Sequence, residues 1–409
     1  MSRLNAVIRC ALLMGATAAA FACTSNDAKL IEPAPTNAIF QSYVALGNSI
    51  TAGYQSGGIN DSTQKQSYAV LLAAAMHTRF AYPSLSMPGC PPPVNNLLTQ
   101  SRVTLPGQPA STGTTCFFRR DASVTPVLNN VAVPGVTSFD PTAPVGPAAS
   151  ALTQLFLGGK TMVMKALDAQ PTFATVWIGN NDVLGPGTSG LIGTATPLDV
   201  FRRNYDIVVR DLIAGAPGLK GVLIAVAQVP NVPLMIPAAA FANPTVLGAA
   251  SQVAGRAVSL DPVTCAGTGL GSLIDFQYLA AIRLRPAGFP GTIFCSPISG
   301  GGQTDLGDFL VLDPTETASL TTLISGYNAY IKAKADSVGF AFFDPNPLLA
   351  GLKTSGAVPV FPNLTSTTQP FGQYFSLDGV HPSAAAHVLI ADSLVSVINA
   401  KYGTTLIKP

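Results

Sequence analysis

The sequence holds only three histidines, His77, His381 and His387, so a search for a general base has few places to go. His77 closes a helical stretch among Ala, Met and Arg, which packing or surface exposure explains. His387 falls inside the apolar pattern of the last helix. His381 differs, because Ser376-Leu377-Asp378-Gly379-Val380-His381-Pro382 is a turn with a carboxylate three residues upstream of the imidazole. At that spacing Asp378 can accept a hydrogen bond from the ring, fix its tautomer and stabilise imidazolium as it forms. A base of this kind needs a nucleophile. Gly47-Asn48-Ser49-Ile50-Thr51-Ala52-Gly53 offers Ser49 at the end of an apolar run, where a strand turns into the next element. Alone, a Gly-x-Ser turn says little, since Ser and Gly populate turns for conformational reasons. With a base available, the chemistry is nucleophilic attack on an acyl carbon.

Such chemistry also needs donors for the developing oxyanion. The backbone N–H of Ser49 points into the space its own side chain would occupy. Trp177-Ile178-Gly179-Asn180-Asn181-Asp182 leaves a buried run with Asn181 placed to project an amide. Asn130-Val131-Ala132-Val133-Pro134-Gly135 ends another run at Gly135, which allows a backbone N–H to approach a ligand closely.

The elements that must hold these groups are set by the hydrophobic pattern. Short apolar runs at 42–47, 131–133, 173–178, 221–227 and 340–343 read as buried strands. Helical patterns at 66–76, 197–214 and 383–400 lie between or after them, and Asp313-Pro314-Thr315-Glu316 opens another with a capping signature. Strands alternating with helices predict an α/β fold, a parallel sheet covered on both faces. Ligands then bind beyond the carboxyl ends of its strands.

The four segments, in this order, resemble the blocks of the SGNH hydrolases, also called GDSL lipases or esterases. Gly47 to Ile50 resembles the first block, Asn130 to Gly135 the second, Gly179 to Asp182 the third and Asp378 to Pro382 the last. The resemblance implies a flavodoxin-like three-layer α/β/α sandwich. It implies a Ser49–His381–Asp378 triad and an oxyanion hole from the N–H groups of Ser49 and Gly135 with the Asn181 amide. The activity it implies is carboxylic ester hydrolysis through an acyl-enzyme, without metal or cofactor. The first block usually carries Asp before the Ser, and this chain has Asn48. That departure leaves open how the nucleophile's turn is held. Other readings fit less well. A G-x-S-x-G elbow is absent, and a solute-binding protein would need two similar lobes. A non-catalytic surface-binding lipoprotein on the same scaffold is the alternative.

Composition sets the compartment. Of 409 residues, 10% are charged, against about 25% in an average soluble protein. A net charge of +2 with no Lys/Arg stripe argues against nucleic acid as a partner. Arg3 and Arg9 precede the uncharged run 10–22, the pattern of a signal peptide over 1–22. Ala20-Phe21-Ala22-Cys23 resembles a bacterial lipobox, so Cys23 is the expected lipidation site. Lipid there would anchor the protein to a membrane surface, at ~0.8 kcal/mol per buried methylene. A tether over 23–41 then leads to a hydrolase domain over 42–403. Cys90, Cys116, Cys265 and Cys295 remain, and an even count in an exported chain reads as two disulfides in one of three pairings, the local pairs being simplest. None lies in a C-x-x-C pair, which argues against structural zinc. The Cys-bearing stretches at about 84–126 and 230–312 interrupt the alternation and read as stapled insertions over one face of the sheet. The expected protein is a monomer in the cell envelope, acting on an acylated lipid or polysaccharide.

Overall fold

The computed structural model describes residues 34–117, 127–143, 151–297 and 309–409. The expected signal segment, Cys23 and the Gly300-Gly301-Gly302 run lie outside the described residues. Strands β1 (Tyr43–Gly47), β2 (Phe173–Trp177) and β3 (Lys220–Ile224) lie side by side. The chain then leaves the sheet for β4 (Met235–Pro237), β5 (Val258–Leu260), β6 (Leu273–Asp275), β7 (Gly291–Ile293) and β8 (Val311–Leu312). It returns as β9 (Ala341–Phe343), which pairs with β3, so the central sheet is parallel throughout in the order β1-β2-β3-β9.

The 131–133 run, expected as a strand, is a short parallel bridge along the free edge of β1. Val131 N–H donates to the Ala45 carbonyl at 3.0 Å and Val133 N–H to the Gly47 carbonyl at 3.2 Å. Counting this segment second, the spatial order is 2-1-3-4-5, the doubly wound order in which the chain reverses direction across the sheet beside β1. The carboxyl end of β1 is therefore the switch point, and Ser49 lies directly after it.

Twelve helices are described: α1 (Ser49–Ala52), α2 (Asp61–Lys65), α3 (Tyr68–Met76), α4 (Ala151–Leu157), α5 (Met162–Leu167), α6 (Asn181–Ser189), α7 (Leu198–Gly215), α8 (Pro244–Ala254), α9 (Gln277–Arg283), α10 (Pro314–Val338), α11 (Asn346–Thr354) and α12 (Ala384–Tyr402). The sheet buries both faces, as its unbroken apolar strands require. Val44, Leu46, Ala174, Val176 and Leu223 point into one core with α5, α7 and α10. Tyr43, Ala45, Phe173, Val222 and Ile224 point into the other with α3 and α12. α12 is apolar because its Ile390, Ala391, Leu394 and Ile398 fill that second core.

Local signals set several boundaries. Asp313 accepts from the Thr315 and Glu316 amides at 2.7 and 2.8 Å, while Glu316 accepts from the Asp313 amide at 2.9 Å, closing the capping box that starts α10. The helix expected from Gln66 starts later, because Ser67 is its N-cap and Gln66 ends the preceding turn. The packed chain also begins before residue 42: Phe40 is fully buried and Thr36 N–H donates to the Met76 carbonyl.

Both insertions carry local disulfides, Cys90–Cys116 and Cys265–Cys295. The second is more ordered than its Pro and Gly content suggests. It holds an antiparallel sheet β4-β6-β8, a parallel pair β5-β7, and α8 and α9 around its own apolar residues.

Candidate active site

The turn after β1 is tight for a reason readable in one residue. A Cβ on Gly47 would lie 2.0 Å from Thr51 Oγ1, so only glycine lets α1 fold back onto the strand end. Asn48 is fully buried and its Oδ1 accepts from the Ile50 amide at 3.2 Å, capping α1 as a carboxylate would. Ser49 is the first residue of α1, so its N–H has no intrahelical acceptor.

Ser49 Oγ–H donates to His381 Nε2 at 2.8 Å, and His381 Nδ1–H donates to Asp378 Oδ2 at 2.8 Å. Ser49 lies more than 300 residues from the other two in sequence, and the switch point brings them together. The loop carrying Asp378 and His381 is pinned by its own backbone and by another loop. Asp378 Oδ1 accepts from the amides of Val380 and His381 at 3.0 and 2.8 Å and from Ser376 Oγ–H at 3.0 Å. Gly57 N–H donates to Asp378 Oδ2 at 2.8 Å. Burial alone would raise the Asp378 carboxyl, but the adjacent imidazole and these N–H donors outweigh it and hold the carboxyl well below its ordinary value. It stays a carboxylate throughout the range in which an imidazole titrates.

Several supporting residues carry no sequence signature. Ser56, at φ 54°, donates its N–H to Ser376 Oγ at 2.8 Å and accepts from the Leu377 amide at 3.1 Å. Arg102, from the first insertion, donates through Nη1 to the Gly57 and Pro92 carbonyls at 2.9 and 2.6 Å. Tyr54 lies with its ring centroid 4.9 Å from that of His381. Burial, with the nearby Asp378 carboxylate, raises its phenol to about 12, so it stays protonated.

The expected oxyanion donors gather at the same end of the sheet. Asn181 begins α6 after β2, and its Nδ2 donates one N–H to the Val136 carbonyl at 2.8 Å. Gly135, at φ 88°, lies between that contact and the Val133 bond to the end of β1. Asp182 accepts from Ser138 N–H and Oγ–H at 2.8 and 2.7 Å, which ties α6 to the same segment. His387 is a core residue: fully buried, with Nδ1 accepting from the Tyr68 amide at 3.2 Å. Burial, helped by repulsion from His381, lowers it to about 3, so it is neutral. His77 is an exposed helix cap in the left-handed conformation.

A cavity of about 680 Å³ opens beside Asp378 and Gly57, with the two insertions as its walls.

The family model for GDSL-like lipase/acylhydrolase matches residues 43–394, which span all four segments. A search of curated protein sequences gave no match. Among solved structures, an extracellular lipase from Streptomyces rimosus is similar at 15% identity, covering 88% of this chain and 99% of its own, with a TM-score of 0.39. A GDSL-like lipase from Parabacteroides merdae is similar at 11% identity, covering 89% and 96%, with a TM-score of 0.36.

Proposed function

Because the chain belongs to the GDSL-like lipase/acylhydrolase family and is thus an ester hydrolase, we propose that Ser49 is its nucleophile, His381 its acid–base and Asp378 the acid that orients the imidazole. The observation that supports this reading is the unbroken relay of two 2.8 Å hydrogen bonds from Ser49 through His381 to Asp378. His381 takes the Ser49 proton as Oγ attacks the ester carbonyl. The N–H groups of Ser49 and Gly135 and the amide of Asn181 receive the oxyanion. The imidazolium then gives its proton to the departing alcohol oxygen, leaving an acyl-Ser49. Water attacks that ester with His381 again as base, and the acid leaves.

The substrate class we propose is an acylated lipid or polysaccharide at the cell surface. The protein would act as a monomer, exported by the 1–22 segment and held at a membrane through lipid on Cys23. The two disulfides suit an oxidising compartment.

The test is hydrolysis of p-nitrophenyl esters of graded chain length by the parent and Ser49→Ala. A fall of about 10³-fold or more in kcat, with the fold retained, is expected. Equal rates in parent and variant would remove Ser49 from the mechanism and favour a non-catalytic surface-binding protein.

A further inference from the structure

We infer that the cavity between the two insertions receives the alcohol part of the ester, and that this alcohol carries an anionic group. The inference rests on the roles proposed for Ser49 and His381.

Proton transfer fixes where the alcohol must lie. The leaving oxygen has to be near His381 Nε2, because that nitrogen gives it the proton that lets the C–O bond break. The bond from carbonyl carbon to alcohol oxygen breaks, the bond to Ser49 Oγ remains, and the proton taken from Oγ leaves on the alcohol. The oxyanion donors approach the same carbon from the Gly135 and Asn181 side. The alcohol substituent therefore runs along the imidazole, away from the oxyanion hole. The cavity is lined on this side of the site by Ser56, Gly57, Leu377 and Asp378, and the His381 ring alone stands between Asp378 and Ser49 Oγ.

Its size and lining limit the occupant. At about 680 Å³ it falls within the roughly 300–1,000 Å³ range of pockets that take a whole small molecule. Apolar Leu97, Val253, Phe276 and Phe371 supply much of the wall, so the occupant has a body to bury as well as polar groups. Two arginines line this space, Arg102 from the first insertion and Arg283 from α9 in the second. Asp378 is the one acid among the described lining residues, and both its oxygens are committed to His381, Gly57, Val380 and Ser376. Arg102 commits Nη1 to two backbone carbonyls and leaves Nε and Nη2 without partners among the described residues. Arg283 is exposed at the rim and makes no hydrogen bond or ion pair with the described residues. Free guanidinium donors from both insertions lining one cavity suit a carboxylate or a phosphate. An acylated uronate and an acylated glycerol phosphate share that chemistry.

The experiment keeps the acyl group constant as acetyl and varies the alcohol. Acetylglycerol is compared with acetylglycerol phosphate, and an O-acetylated neutral oligosaccharide with an O-acetylated oligouronate, using the parent and Arg283→Gln. The parent is expected to favour at least one anionic member over its neutral partner in kcat/KM. Arg283→Gln should lose about fivefold on that ester, mainly through KM, and change little on the neutral one. A gain confined to the phosphate or to the uronate names the source of the anion. Equal rates within both pairs, or equal losses on charged and neutral esters, would overturn the inference while p-nitrophenyl acetate hydrolysis still upheld the esterase. Loss of every ester activity, including p-nitrophenyl acetate, in a folded parent would overturn both.

Discussion

Tyr54 is one of the residues at the site for which the sequence offered no role, and its ring packs 4.9 Å from the imidazole that the proposed mechanism makes cationic. A ring packed against the imidazole holds its orientation and keeps water from its pair with Asp378. Tyr54→Leu should therefore lower kcat on p-nitrophenyl esters several-fold, while Tyr54→Phe keeps it. An unchanged kcat in Tyr54→Leu would mean the ring does not position the imidazole. Beside the proposed nucleophile, an asparagine replaces the family's usual aspartate, and its contacts explain how. Asn48 Oδ1 makes the cap to Ile50 that a carboxylate would make, while its Nδ2 is buried without a partner among the described residues. Losing the cap in Asn48→Ala should cost about 1 kcal/mol in urea denaturation, and a stability equal to the parent's would mean the cap holds nothing.

At the scale of elements, the two disulfides close stretches of 26 and 30 residues in insertions that wall the cavity. Chain-entropy arguments give each about 3–4 kcal/mol. Replacing Cys265 and Cys295 by serine should lower the denaturation midpoint accordingly, and an unchanged midpoint would show that β5-β7 and α8 hold the insertion without it. How legible these parts were in the sequence depended on the kind of interaction. Ser49, His381 and Asp378 stood out because few residue types do their chemistry and histidine is scarce. The central strands and α7, α10 and α12 were legible because burial imposes a period on side chains. The 131–133 segment was read as a full strand because its apolar run looks like the others, yet only its bridge to β1 forms. Ser56, Gly57 and Ser376 were invisible, since they act through backbone amides and a hydroxyl that any turn could supply. The inner order of the second insertion was missed because its three-residue strands are too short for a period to show.

For the whole molecule, the long-range contacts that build the site also set its response to acid. His387 links α12 to the start of α3 as a buried neutral ring, with a folded value of about 3 against an ordinary 6.5. Between those values the unfolded chain binds a proton that the folded chain refuses, so the ring's contribution to stability falls as pH drops from about 6.5 toward 3, while the buried Asp275 carboxyl, pushed up to about 7, acts in the opposite sense between about 7 and 4. Protonation of Asp378, held low in the fold, adds to the loss below its ordinary 3.8. Urea midpoints against pH test this, and His387→Leu should make the midpoints fall less, or rise more, on acidification from about 6.5 to 4 than the parent's do, even where it lowers every midpoint. A His387→Leu variant whose midpoints change with pH between about 6.5 and 4 as the parent's do would contradict the assignment of a buried neutral His387. The relay itself is tested most directly by treating the folded protein with a fluorophosphonate and mapping the adduct by peptide mass. The account predicts one adduct per chain on Ser49, with labelling slowed at least about 100-fold in His381→Asn because the serine loses its base. An adduct on another residue, no adduct, or equal labelling of the two proteins would contradict it.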